Sequence, residues 1–409
     1  MNNSCFTKSE VGVVRKLAES VAVIAASGEN ARIIRRWQDV NALRRPDRAP
    51  VWCRPVACWE ELIPQSSLMC SDPWLRKFEY QFRQILCKHQ IADDSPLLSY
   101  YPVQVEYDVV PANRWGVETG KHRPDAKGGA WGYNPPLKTE EDFEKLVKPL
   151  FVLNKAKTEQ ELEKTENLLK GILPVCLELS PSFGIGTLGS AAADLRGLEQ
   201  IMMDMAVDPK LVHRLMAYLR DATLAQLETI EQDACFVPNT HEPMLFSDPI
   251  GMPQGQKFTL KNCWCAANSQ EFDQVSPAMW EEFCLDYQRP IFARFGYVCY
   301  GCCENLTHKI DGVLSIPNLR IFVCSAWTDL DTVLNKIDKN YCIMWRQKAS
   351  DVVFAENTKS LHRDLEEGLR KLQGQFYQVV LRELQTLNGN LDRLHAWTQI
   401  AKELAAKYS

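Results

Sequence analysis

The chain has no apolar run approaching the ~20 residues of a membrane span. The longest near its start is VAVIAA (21–26). Its first residues, MNNSCFTKSE, lack the charged-then-apolar pattern of a secretory signal. Basic charge is not in excess: 47 Lys and Arg stand against 52 Asp and Glu, a net charge of −5. A phosphate-backbone binder needs a basic surface, so nucleic acid is not an expected partner. A soluble, cytoplasmic protein without membrane contact is expected. Internal repeats and low-complexity tracts are missing. No G-x-G-x-x-G joins a strand to a helix, and FGIGTLGS (183–190) has the wrong spacing for a dinucleotide fingerprint. It reads as a turn. No paired CxxC motif exists, so a structural zinc is not expected.

Cysteine, by contrast, is abundant. Fifteen thiols are scattered over 409 residues, an odd count in a chain far longer than a bridged secreted scaffold. They read as reduced. Most are expected to pack as small hydrophobes, leaving a few as candidate ligands. The remaining composition, 45% hydrophobic and 24% charged, is that of a globular chain with a large core.

Residues 1–95 read as helices. A helix-rich segment, 8–45, is ended by RRPDRAP (44–50), because proline removes a donor and restricts its predecessor. Asp72-Pro73 starts another helix, with Trp74, Phe78, Phe82, Ile85 and Leu86 at helical spacing. From about residue 97, β-rich runs alternate with amphipathic helices. The predicted strands are 97–110, 173–179, 258–265, 297–301, 319–325, 341–345 and 376–384. Asp208-Pro209 and Ser276-Pro277 open helices between them, and a last helix covers 390–406. Strands joined by helices imply parallel pairing. The predicted fold is α/β: a (β/α)8 TIM-type barrel over 96–409 behind an N-terminal helical extension over 1–95. A doubly wound open sheet is the runner-up.

In such a barrel, functional groups gather where strands end. The reactive strand ends are CWCAANSQE with Cys263, Cys265 and Glu271, YGCCEN with Tyr300, Cys302, Cys303 and Glu304, Cys324 with Trp327 and Asp329, and Arg382-Glu383. Thiolates and a carboxylate converging there can hold zinc with an open position. Strand alternation lets only one of Cys302 and Cys303 face the centre, and Cys302 is the preferred one. The competing reading is that these are packing cysteines. His241, in PNTHEP beside Glu242, is a candidate general base or ligand, against an ordinary loop histidine. WGVETGKHRPDAKGGAWGY (115–133) is a long insertion of the kind that covers a site. A site for an acidic substrate would instead show converging arginines, with Arg114, Arg123, Arg346 and Arg382 as candidates.

The stretches SPAMWEEFCLDYQRPIFARFGYVCYGCCENL (276–306) and IPNLRIFVCSAWTD (316–329) resemble the uroporphyrinogen decarboxylase superfamily. The resemblance is to the branch that contains corrinoid-dependent methyltransferases. LRGLEQIMMDMAVDPKLVHRLMAYLRD (195–221), RAPVWCRPVACWEELIP (48–64) and VVLRELQTLNGNLDRLHAWTQIAKE (379–403) extend it over most of 40–405. It implies an eight-stranded βα barrel that moves a methyl group from a small methylated or methoxylated molecule to the cobalt of a corrinoid protein. Zinc, or a proton donor such as Glu271 or Glu304, would activate the departing heteroatom. The superfamily's zinc methyltransferases carry His-x-Cys where this chain has Tyr300-Gly301-Cys302, so the thiol is kept and the histidine is not. By analogy with a methanol-activating barrel that uses Glu-Cys-Cys, the metal set would be Glu271, Cys302 and Cys324, with Cys303 as the alternative thiol. The candidate catalytic residues are Glu271, Glu304, Tyr300 and His241.

Several departures matter. The Met-Arg-Gln-Ala-Gly-Arg motif of true decarboxylases is absent, and the arginines at 44, 45 and 48 do not reproduce it. Arg346-Gln347-Lys348-Ala349-Ser350 stands where relatives read Lys-Pro-Asn-Pro-Ala. The Asp-x-His-x-x-Gly motif that holds cobalamin is also absent, so the corrinoid would arrive on a partner chain. The expected function is methyl transfer. The alternatives are a carboxy-lyase of the uroporphyrinogen decarboxylase type and a non-catalytic binding barrel.

Overall fold

The core of the sheet is made from strands that read as mainly apolar runs, YVCY, LRIFVC and FYQVVL among them, interrupted there only by Arg320 and Gln378. Such runs suit strands covered on both faces. The computed structural model describes residues 6–122, 132–240 and 257–409. Its strands, in chain order, are β1 (Val51–Cys53), β2 (Tyr101–Gln104), β3 (Tyr107–Val110), β4 (Gly120–His122), β5 (Gly132–Asn134), β6 (Leu150–Leu153), β7 (Val175–Glu178), β8 (Trp264–Ala267), β9 (Tyr297–Tyr300), β10 (Leu319–Cys324), β11 (Cys342–Gln347) and β12 (Phe376–Leu381). Six of them form one parallel sheet in the order β1-β12-β11-β10-β9-β8. The register pairs Val51 with Val379, Trp345 with Val379, Cys324 with Trp345, Phe322 with Tyr300 and Ala267 with Tyr300.

The architecture is therefore mixed α/β around a six-stranded parallel sheet. Among the described residues its ladder does not close into the expected ring of eight. β2 and β7 pair in parallel with each other only, and a single parallel bridge joins Leu179 to Phe236. At the β1 edge, acidic residues occupy the place of a neighbouring strand. The Asp94 amide donates to Val51 O at 2.8 Å, and Asp93 Oδ2 accepts from the Cys53 amide at 2.9 Å. At the β8 edge, Ala266 N donates to Phe183 O at 2.8 Å and Gly186 N to Ala266 O at 3.3 Å. The glycine-rich segment 183–190 is thus a turn laid against the sheet edge.

Three other expectations are corrected. The 1–95 segment is not helical throughout, because β1, fully buried, enters the sheet. The strand expected over 258–265 begins only at Trp264. Thr259 and Asn262 cap each other's backbone and fold 260–262 into a 3-10 turn. The run 97–110 divides into β2 and β3, and β3 pairs antiparallel with β6. The insertion after β3 carries the ribbon β4–β5, whose intervening residues 123–131 lie outside the described ones.

Helix signals in the sequence are met. Asp72 accepts from the amides of Trp74 and Leu75 to cap the helix Pro73–Ile91, and Ser276 accepts from the Met279 amide. The helices Lys8–Ala25 and Pro73–Ile91 pack through Val14, Ala18, Phe78 and Phe82. Among the described residues no helix is long and apolar enough to cross a membrane.

Strand alternation sorts the sheet's side chains into two faces. Trp264, Cys299, Ile321, Val323, Cys342, Met344 and Val380 form the inner face, with Trp37 packed on it. Val298, Tyr300, Phe322, Cys324, Ile343 and Val379 face the surrounding helices.

Candidate active site

Three strands of the sheet, β9, β11 and β12, with β10 between the first two, deliver the reactive groups. β9 stops at Tyr300 because Gly301 takes φ +115°, a conformation L side chains rarely adopt. A Cβ there would also meet Leu306 Cδ1 and Val323 Cβ, each at 2.9 Å. This turn frees Cys302 from the alternation of the strand. Glu304 then fixes the loop. Its carboxylate accepts from the amides of Cys302 at 2.9 Å and Ser269 at 2.8 Å, and Ser325 Oγ donates to its carbonyl at 2.8 Å. Glu304 is buried, and burial pushes its pKa up.

Arg346 follows Cys342 and Met344 on the inner face and is 2% exposed. Its guanidinium donates to Cys302 O at 2.8 Å and to Glu383 Oε1 at 2.9 Å, and it reaches Cys302 Sγ at 4.0 Å. Arg382, just past β12 and in phase with Val380, donates to the same sulfur at 3.8 Å. Glu383 takes φ +60° at this bend. Cys303 Sγ lies 3.7 Å from Cys302 Sγ and 3.2 Å from Glu383 Oε1, so its single thiol proton has two acceptors.

The electrostatic outcome is a separated pair. The hydrogen bond from Cys303, then the guanidinium groups of Arg346 and Arg382, bring the Cys302 thiol down to about 5 against the opposing effect of burial. Cys303 moves strongly upward, because it shares its proton with Cys302 and lies beside Glu383. These surroundings favour the thiolate at Cys302 and the thiol at Cys303. Cys263, Cys265, Cys299, Cys324 and Cys342 are all pushed upward by burial.

The sequence-derived site residues meet this cluster only in part. Cys302, Cys303 and Glu304 are brought together as described. Cys324 is not, because alternation along β10 turns it to the helix-facing side. There its thiol is fully buried and donates to Thr328 O at 3.7 Å. Glu271 sits in the turn after β8 and faces the start of the helix Gly189–Arg196. Ser190 Oγ donates to its Oε1 at 2.5 Å. The metal set Glu271–Cys302–Cys324 is therefore not assembled. Among the described residues no group of three His, Cys, Asp or Glu is arranged to hold a metal ion. The Cys302 sulfur is faced by two guanidinium groups, at 4.0 Å from Arg346 and 3.8 Å from Arg382, and cations so placed do not suit a dication at that thiol.

Tyr300 is not a site group. It lies in the helix-facing layer, fully buried, donating to Gln288 Oε1 at 3.0 Å and accepting from Trp280 Nε1 at 3.3 Å. His241 and Arg123 lie outside the described residues. Arg114 is elsewhere, its guanidinium 4.7 Å from the Trp115 ring centroid. The pairing of Arg346 with Glu383 was not anticipated from the sequence, although the phase of β11 and β12 carries the signal. No family model and no curated protein matches the chain.

Proposed function

We propose that the chain is a βα-barrel enzyme of the uroporphyrinogen decarboxylase superfamily, with β2 and β7 completing the wall begun by the six-stranded sheet. In this reading it moves a methyl group from a small methylated or methoxylated molecule to a corrinoid on a separate protein. The observation that carries it is the convergence of Cys302, Cys303, Arg346 and Arg382 at the carboxyl ends of β9, β11 and β12. Barrels of this kind do their chemistry at that end.

The corrinoid, brought by its carrier, supplies the nucleophile. The chain's task is to help the heteroatom leave. Cys303 holds a proton, is partly exposed and faces the cluster. It hydrogen-bonds to the departing oxygen, sulfur or nitrogen through its S–H and keeps the proton, which its neighbours Cys302 and Glu383 hold on it. Burial raises Glu304 as well, but main-chain amides occupy both its oxygens, so it positions the Cys302 loop. Arg346 and Arg382 hold the charge left on the leaving group.

The arginine pair also favours a second reading, a carboxy-lyase, because two guanidinium groups can grip a substrate carboxylate. One experiment separates the two. Purified protein is mixed anaerobically with a reduced corrinoid protein and methoxylated aromatic acids. Methyl transfer appears as the change in cobalt absorbance, with Cys303→Ala slower by about a hundredfold. Carbon dioxide release without methyl transfer would select the lyase, and neither product would leave a binding barrel.

A further inference from the structure

Arg346 is almost fully buried, yet its Nε has no hydrogen-bond partner. A buried cationic donor without an acceptor is costly, and native structures leave few of them. Its Nη1 meets Glu383 at 2.9 Å, whereas Cys302 Sγ lies at the limit of contact, 4.0 Å from Arg346 and 3.8 Å from Arg382. Nitrogen–sulfur contacts this long are weak beside the 2.7–2.9 Å charge-assisted bonds that a carboxylate makes to guanidinium. The sulfur is thus a loose counter-ion, and it is partly exposed at the end of the sheet.

We infer that this site takes a small monocarboxylate, and that the carboxylate replaces the Cys302 sulfur as counter-ion of Arg346 and Arg382. Charge balance requires the exchange. Two guanidinium groups already face two anions, Glu383 and Cys302. A third anion enters without excess negative charge only if Cys302 takes up one proton from solvent. The other titratable groups around the sulfur do not substitute for it. Cys303 is already protonated. Glu304 is tied to the amides of Ser269 and Cys302, and Cys299 is a buried neutral thiol on the inner face. Ligand binding and thiolate formation therefore compete. The inference relies on the proposed function for its location only. A carboxylate that fails to bind would leave methyl transfer from a neutral donor intact.

The test is equilibrium binding of labelled benzoate to the full chain between about pH 6 and pH 8, where benzoate stays ionised, with benzamide as the uncharged competitor. Affinity is expected to fall about tenfold per pH unit as the thiolate form takes over. Cys302→Ser removes the competitor, so binding becomes independent of pH and about a thousandfold tighter at the alkaline end. Arg382→Gln, a rim substitution, is expected to weaken benzoate at least tenfold while near-ultraviolet circular dichroism stays unchanged. Absence of benzoate binding, equal competition by benzamide, or the same pH dependence in Cys302→Ser as in the unmodified chain would each overturn the inference.

Discussion

Cys302 and Cys324 stand at the ends of neighbouring parallel strands, β9 and β10, yet their thiols differ in kind. Cys324 is the last residue of β10 and obeys its alternation, so it points into the helix layer, where burial pushes it up to about 12. Cys302 comes after Gly301, whose positive φ cancels the alternation and brings the sulfur to two guanidinium groups and a donor thiol. Cys299 sharpens the contrast. It lies on the inner face and feels Arg346 through space, but burial still dominates and raises it to about 12. Direct hydrogen bonding to the sulfur, rather than a nearby cation, separates the thiolate from the packing thiols.

The strongest way to break this difference is at the turn. Gly301→Ala meets both the positive φ and the two 2.9 Å contacts, so a loss of about 3 kcal/mol is expected in urea denaturation. The same variant should lose the low thiol titration, because Cys302 no longer reaches Arg382. Next in size is Arg346→Met. Glu383 and Cys302 lose their buried cation, and Glu383 keeps only partial access to water. A destabilisation of about 2 kcal/mol is expected, with the Cys302 titration moved upward by at least about one pH unit.

Glu304→Gln is smaller, at about 1 kcal/mol, since an amide oxygen can replace only one of the carboxylate's acceptor roles. Its sign with pH is the sharper readout. Glu304 has a raised value in the folded state, so the folded chain holds this proton where the unfolded chain has released it. Stability from this group therefore falls as pH rises from the ordinary carboxylate range through the raised value. Denaturation midpoints measured across that range should decline in the unmodified chain and decline less in Glu304→Gln. Cys324→Ala closes the series. It should cost about 1 kcal/mol through a small core void and leave the Cys302 titration where it was.

Much of this was legible in the sequence. The apolar runs of β7 and β9 to β12 marked themselves, and YGCCEN held three of the cluster's residues. β1 was hidden because three residues, Val51-Trp52-Cys53, lie inside a Pro- and Arg-rich connector and show no period. The ligand set Glu271–Cys302–Cys324 failed for a specific reason. A place at a strand's end fixes the height of a side chain but not the face it takes. Tyr300 shows the same effect, one residue before the turn that redirects its neighbours. Arg346 and Arg382 were among the four arginines named for an acidic-substrate site, and phase separates them from the other two, since each lies two residues beyond an inner-face side chain, Met344 and Val380. The exchange of a thiolate's partners across two strands has no local signature.

The most direct measurement is an ultraviolet pH titration of the unmodified chain minus that of Cys302→Ser. One thiolate is expected to form with a midpoint near pH 5, far below the ordinary thiol value of 9.0, before any other cysteine ionises. A difference spectrum that stays flat until the ordinary thiol range would contradict the assignment of Cys302 as the charged sulfur of the site.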